Sequence, residues 1–193
     1  MNNIEYRTPL NSDEFEKYDL FRWRILRKPI GKSIDSLKDK YENSSYHLIG
    51  VSDNEVIACG RLHFNTDSEA QIRYMAVNNN LQGMGIGREI IGHLEEYALE
   101  QNAKKIVLNA GNSGTLSRLI LGLLVHSKNK IKIIGDKSLS KRDFMRVIKP
   151  LEKFGAKFKS NNGKLPISIS GTTSPKPIKY YEKRGSAQCK SSV

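Results

Sequence analysis

Between Glu69 and Ala110 the chain reads as strand, glycine-rich turn, helix and strand, and this run constrains the fold more than any other. "EAQIRYMAV" at 69–77 alternates in its first half, as a half-buried strand does. "NNNLQGMGIG" follows, then the helix "REIIGHLEEYALEQN" at 88–102, with Ile90, Ile91, Leu94, Tyr97, Ala98 and Leu99 on one face. "KKIVLNA" at 104–110 is a short apolar strand. Gly83, Gly85 and Gly87 leave backbone N–H groups unobstructed, and the helix start adds unpaired donors and a partial positive charge. Such a turn can cradle a pyrophosphate, although glycines that merely ease a strand into a helix give the same pattern. It is not a P-loop, because no Gly-Lys-Ser/Thr follows, and the third glycine comes one position early for G-x-G-x-x-G.

Upstream, "IEYRT" at 4–8 is a candidate strand. Asn11 or Ser12 caps a helix through "SDEFEKYDLFRWRILRK", with Asp13, Glu14 and Glu16 favourably placed in its first turn. Phe15, Tyr18, Leu20, Phe21, Ile25 and Leu26 supply its apolar stripe. A second helix is expected over 33–42. Strands at 46–52 and 55–64 are joined by Asp53-Asn54, a hairpin turn.

The spacing Gln82-x-x-Gly85-x-Gly87 resembles the Q/R-x-x-G-x-G/A signature of the GNAT N-acetyltransferases, and the elements of 1–110 follow that family's order. "FRWRILRKPIG" is similar to the first helix of one GNAT branch. The resemblance implies acetyl-CoA as cofactor, its pyrophosphate held by Gln82, Gly83, Met84, Gly85, Ile86, Gly87 and Arg88, with Asn109 nearby. It implies that Met75, Ala76 and Val77 pair with pantetheine and face the acetyl carbonyl. An acceptor amine, on a small molecule or a protein, must lose a proton before it attacks; Glu69 is the candidate base, with His63 and Tyr74 as alternatives. The family pattern fails after "LNA": Gly111 stands where an Arg is usual, and the Tyr-bearing helix and last strands do not follow. "YYEKRG" at 180–185 imitates that helix but lies about 70 residues too late.

From Gly111 the chain changes character. Residues 1–110 carry 14 Lys and Arg against 16 Asp and Glu, whereas 111–193 carry 18 against 4. A basic half calls for an anionic partner. A helix at 115–127, a strand at 130–135, a helix at 140–155 containing Pro150, and strands at 156–160 and 165–171 are expected. Phe144, Val147, Ile148, Leu151 and Phe154 share one face of the later helix. "NAGNSGTLSRLI", "GDKSLSKRDFMRVIKPLEKFGAKF" and "PIKYYEKRGSAQCKSSV" resemble the 5-enolpyruvylshikimate-3-phosphate synthases, the carboxyvinyl transferases of aromatic amino acid biosynthesis. The resemblance implies that Asn112, Gly114, Thr115 and Arg142 border a phosphoenolpyruvate region, with Arg118 one turn into its helix. It implies that Ser186, Ala187 and Gln188 contact shikimate-3-phosphate. That family works between two domains, and this chain matches an interior piece of one; Val193 is read as a cut inside a helix.

The expected fold class is α/β of the α+β type: an incomplete GNAT-like mixed sheet with flanking helices over 1–110, then a partial βαβ-type piece of a carboxyvinyl transferase domain over 111–193. The edge of "KKIVLNA" would lie open unless a later strand covers it. The expected activity is acetyl-CoA-dependent N-acetylation, impaired by the loss of the family's C-terminal part. The alternatives are a carboxyvinyl transferase fragment inactive alone, and a non-catalytic chimera binding phosphorylated anions or nucleic acid through its basic half. Poor interleaving of aromatics with Lys128, Lys130, Lys132, Lys137 and Lys141 argues against nucleic acid. The longest apolar run, "LILGLLV" at 119–125, is far short of a membrane span. Cys59 and Cys189, 130 positions apart, show neither a disulfide framework nor a metal-binding spacing, and a cytoplasmic location is expected.

Overall fold

The structure is a computed structural model and describes residues 3–111, 113–127, 129–181 and 192. The chain divides into two units, Met1–Lys104 and Lys105–Val193.

The first unit is built on four antiparallel strands in sequential order: β1 (Glu5–Arg7), β2 (Tyr46–Ser52), β3 (Glu55–Thr66) and β4 (Glu69–Val77). Asp53 and Asn54 both take left-handed φ, 51° and 60°, the twist a two-residue hairpin requires. Helix α1 (Ser12–Leu26) starts where expected: the Asn11 side chain accepts the Glu14 N–H at 3.0 Å. Arg7 grips Glu14 with two bonds of 2.6 and 2.8 Å, which ties β1 to the start of α1.

β3 is buried from Val56 to His63, so both its faces are covered. On one face Tyr18 and Phe21 of α1 pack with Ile49, Val56, Cys59 and Ala76. On the other, α2 (Ile86–Glu100) closes on Gly60: a Cβ there would lie 2.7 Å from Leu94 Cδ1 and 2.9 Å from Ile90 Cγ2. Neighbouring strand positions face opposite ways, so Cys59 and Gly60 put α1 and α2 on opposite sides of the sheet.

Three expectations need correction here. The helix over 33–42 does not form; two short 3-10 turns, Ile34–Leu37 and Glu42–Ser44, stand in its place. Only Leu37 is buried in that stretch, so no apolar stripe favours a helix, and Asp39 and Glu42 are drawn to arginines of the sheet and α1 instead. Phe15 and Leu20 are 41% and 46% exposed, whereas Arg22 is wholly buried on the face of α1 they were expected to share. Leu99 is likewise exposed and Glu95 buried on α2, which begins at Ile86, two residues earlier than expected.

The second unit opens with a βαβ element: β5 (Lys105–Asn109), α3 (Gly114–Leu123) and β6 (Lys130–Ile134), with β5 and β6 parallel and Ile106 opposite Ile131. The β5 edge that required a later strand is thus covered by β6. β8 (Lys164–Ser170) runs antiparallel to β6, and β7 (Lys157–Asn161) antiparallel to β8. Ile106, Leu108, Ile120, Leu121, Ile131, Ile133, Ile167 and Ile169 are buried among these elements. Helix α4 (Met145–Phe154) keeps Val147, Ile148 and Leu151 buried, with Pro150 inside it. It starts five residues later than expected: Leu139–Lys141 is a 3-10 turn, Arg142 is extended, and the Asp143 carboxylate accepts the Met145 N–H at 2.8 Å.

Candidate functional sites

In the first unit β4 delivers the chain into the glycine-rich turn. Asn78 N–H bonds Ile57 O at 2.8 Å, and its side chain accepts Asn80 N–H at 3.1 Å, starting a 3-10 turn at Asn79–Leu81. The Gln82 amide folds back, donating to Asn79 Oδ1 at 3.2 Å and Val77 O at 3.4 Å. Gly83 and Gly85 adopt φ of 82° and 83°, and a Cβ on either would meet nothing within 4 Å. These glycines are there for the left-handed backbone, not for close packing. Residues 82–85 are exposed, and α2 begins at once after Gly85, whose carbonyl takes the Arg88 N–H at 2.8 Å. The first turn of α2 therefore presents its free N–H groups beside an open loop, which suits an anion.

β4 carries an irregularity that sequence reading missed. Cys59 faces Ala76 and Arg61 faces Arg73, so β4 spends one residue more than β3 between these pairs. The extra residue is accommodated at Tyr74, φ 53°, a costly conformation for a bulky side chain. The bulge immediately precedes Met75, Ala76 and Val77. The Tyr74 ring lies within 5.6 Å of the guanidinium carbons of Arg22, Arg27, Arg61 and Arg73.

Those arginines belong to a polar cluster. Glu42 Oε1 is 2.5 Å from Arg22 Nη2, and its Oε2 bonds Arg61 Nη1. Arg61 Nη2 reaches Asp39 Oδ2 at 2.7 Å, Arg73 Nη1 reaches the same oxygen at 3.3 Å, and Asp19 Oδ1 takes Arg22 Nη2 at 2.6 Å. Burial pushes the Asp39 carboxyl up, but the bonds from Arg61 and the Tyr41 N–H outweigh it and hold it below its ordinary value. Arg22, at i+4 from Tyr18, was the legible hint, since that spacing puts it on the apolar face.

Glu69 and His63, two of the candidate bases, are joined through Asn65. Asn65 Nδ2 donates to Glu69 Oε1 and Gln71 Oε1, each at 2.9 Å, so its Oδ1 faces His63 Nε2 at 3.1 Å. That arrangement assigns the proton to Nε2 and leaves His63 Nδ1, buried and without a partner among the described residues, as a bare acceptor. Burial, and then the charge of Arg61, lower the His63 pKa. The Tyr41 ring stacks on it at 4.1 Å. Tyr74, the third candidate, turns its hydroxyl to Asp39 at 3.4 Å.

In the second unit, Ser113 caps α3 by accepting the Leu116 N–H at 3.2 Å. Both arginines expected here reach its first turn: a Cβ on Gly114 would collide with Arg142 Nη1 and lie 3.2 Å from Arg118 Nη1. Arg118 Nη2 also donates to Asp143 O at 3.3 Å, and its guanidinium lies 5.2 Å from the Phe144 ring. Arg142 arrives from an extended segment rather than a helix start. Thr115 is exposed beside them. Asn109 belongs to this unit, and its side chain accepts the Gly111 N–H at 2.9 Å. Asn112, Ser186, Ala187 and Gln188 lie outside the described residues, as does most of "YYEKRG". No group of three His, Cys, Asp or Glu among the described residues is placed to hold a metal, and no helix among them is long and apolar enough to cross a membrane.

Comparison with known proteins agrees with both halves. The family model "Acetyltransferase (GNAT) family" matches residues 3–118, and that for EPSP synthase (3-phosphoshikimate 1-carboxyvinyltransferase) matches residues 77–193. The chain belongs to both families. The two matches overlap from Val77 to Arg118, across the loop, α2 and β5. The 3-phosphoshikimate 1-carboxyvinyltransferase of Ruthia magnifica is 45% identical over 116 residues, 58% of this chain and 27% of that protein. That of Vesicomyosocius okutanii is 49% identical over 88 residues, 46% of this chain and 20% of that protein. The chain thus spans about a quarter of the length of these curated EPSP synthases. Among solved structures, a GNAT family acetyltransferase from Elizabethkingia anophelis with acetyl-CoA bound superposes with a TM-score of 0.51 at 23% identity, over 88% of this chain and 96% of that one, a likeness of fold. As GNAT and EPSP synthase matches together, these findings fit the mixed sheet with flanking helices expected from the sequence.

Proposed function

We propose that the chain is an acetyl-CoA-dependent N-acetyltransferase working from its first unit. The observation that carries this is the Gln82–Arg88 turn: two left-handed glycines in open space, running into the N-terminus of a 15-residue helix. The N–H groups of this turn would hold the pyrophosphate, with Gln82 bracing the loop against Val77 and Asn79. Met75, Ala76 and Val77 follow the Tyr74 bulge, which re-aims the strand where pantetheine and the acetyl carbonyl would lie. Acetyl-CoA, when bound, supplies the activated thioester. Glu69, oriented by Asn65, would take the proton of the acceptor amine, and neutral His63 supports the same network. We place the change between the two families at Asn109–Ala110, dividing 1–110 from 111–193, and expect the protein to act in the cytoplasm.

A ligand that binds only the folded state raises its stability, by about 2.7 kcal/mol at a hundredfold excess over Kd. Acetyl-CoA should therefore raise the melting temperature, and Gly85→Glu should remove the rise. No rise at millimolar acetyl-CoA, or an equal rise in Gly85→Glu, overturns the reading.

A second reading concerns the other unit. Arg118 and Arg142 converge on Gly114 at the start of α3, an arrangement suited to a small oxyanion. We infer that this half-site binds phosphate or a carboxylate without turnover, Gly114 and Thr115 contributing N–H groups. Inorganic phosphate should raise the melting temperature less in Arg142→Gln than in the parent; equal rises count against it.

A further inference from the structure

The cluster around Tyr74 holds one guanidinium too many. Arg22, Arg27, Arg61 and Arg73 meet at its ring, and the carboxylates bonded to them are those of Asp19, Asp39 and Glu42. Arg27 makes no ion pair with any described residue, and its Nε is buried without an acceptor. Arg22 is wholly buried, yet its Nε and Nη1 have no hydrogen-bond partner among the described residues either; Arg61 Nε shares this condition. Buried donors on charged groups are costly to leave unpaired, so this concentration calls for an acceptor that the described residues do not supply. The cluster is not sealed: Arg73 and Asp39 keep 31% and 24% of their side-chain surface exposed.

We propose that this cluster is a subsite for a carboxylate carried by the acyl acceptor, which makes the acceptor an amino acid or another amine bearing a carboxylate. One unmatched guanidinium calls for a single negative charge, which favours a carboxylate over a phosphate dianion. A carboxylate matches the paired N–H edge of a guanidinium. Position supports the same assignment. Tyr74 directly precedes Met75, and a strand advances about 3.3 Å per residue. A carboxylate held at the Tyr74 ring would leave an α-amine, two bonds from the carboxyl carbon, beside the backbone of Met75–Val77. The failure to build a helix over 33–42 belongs to the same design, because Asp39 and Glu42 join Asp19 in neutralising Arg22, Arg61 and Arg73 and leave Arg27 unmatched.

The acceptor role rests on the acetyltransferase reading; the carboxylate site does not. The test follows the arginine Nε–H resonances of the full chain by NMR, at fixed ionic strength, during titration with glycine, glycinamide or O-phosphoethanolamine. Glycine should move the Arg22 and Arg27 signals saturably. Glycinamide should not, and O-phosphoethanolamine should bind more weakly. Arg27→Gln should weaken glycine binding at least tenfold, Arg27→Lys less so, and both should keep the acetyl-CoA melting shift. Equal response to glycine and glycinamide, tighter binding of the phosphate, or unchanged glycine affinity in Arg27→Gln overturns the proposal. Loss of the acetyl-CoA shift with glycine binding intact overturns the acceptor role together with the acetyltransferase reading, whereas the reverse pattern overturns only the carboxylate site.

Discussion

Glu42 joins two arginines that are both wholly buried: one carboxylate oxygen lies 2.5 Å from Arg22 Nη2 and the other bonds Arg61 Nη1. Removing the partner of a buried charge costs about 3–5 kcal/mol, because the remaining ion stays desolvated. Glu42→Gln should therefore lower the urea midpoint of the first unit strongly, while Asp53→Asn in the hairpin turn should hardly change it. A loss below about 1 kcal/mol, the range of exposed ion pairs, would show that Glu42 does not neutralise the arginines.

Acid should weaken the first unit well before its carboxylates titrate. Burial and Arg61 hold His63 below 6.5, and burial lowers His47 in the same sense. Between the folded value and 6.5 the unfolded chain binds more protons, so stability rises with pH through that window. The contribution is complete above 6.5 and is lost as pH falls below it. The melting temperature should drop between pH 7.5 and 5.5, and His63→Gln should flatten the slope. An unchanged slope in the variant would assign the effect elsewhere.

Cys59 should be inert while the fold holds. Complete burial pushes its thiol up to about 12, against a smaller opposing effect of Arg22. In a Cys189→Ser background, Cys59 should resist a thiol-specific disulfide reagent at pH 8 and react fully in urea. Rapid reaction without denaturant would contradict its burial.

Two glycines should respond oppositely to alanine. Gly171 packs against backbone: a Cβ would press on Ser127 O and lie 2.6 Å from Val125 O and 2.7 Å from Ser127 N. Backbone cannot step aside as a side chain can, so Gly171→Ala should cost about 1–3 kcal/mol or more. Gly92, inside α2, has nothing within 4 Å of its Cβ position, and Gly92→Ala should stabilise by about 0.5–1 kcal/mol. Circular dichroism melts of the two variants check both signs.

What could be read from the sequence was local. The Asn11 cap, the Asp53-Asn54 turn, the glycine turn after β4 and the βαβ rhythm each depend on neighbouring residues and appear where expected. What escaped reading depends on distant partners. Nothing near Asp39 or Glu42 announces Arg61, 22 and 19 positions away, so their stretch read as a helix. The Tyr74 bulge is set by register against β3, and a period-two pattern does not reveal where a register slips. Arg118 and Arg142 were expected in one region by resemblance, but their meeting over Gly114 requires α3 and the segment before α4 to be folded together.

The parallel pairing of β5 with β6 carries a cost in time. A hairpin partner is synthesised within moments of its neighbour, but β6 ends at Ile134, 25 residues after the last residue of β5. At a translation rate of about 5–20 residues per second, roughly 1–5 s pass before that partner has even been made. For this interval Ile106, Val107 and Leu108, buried in the finished fold, wait without the strand that pairs with them.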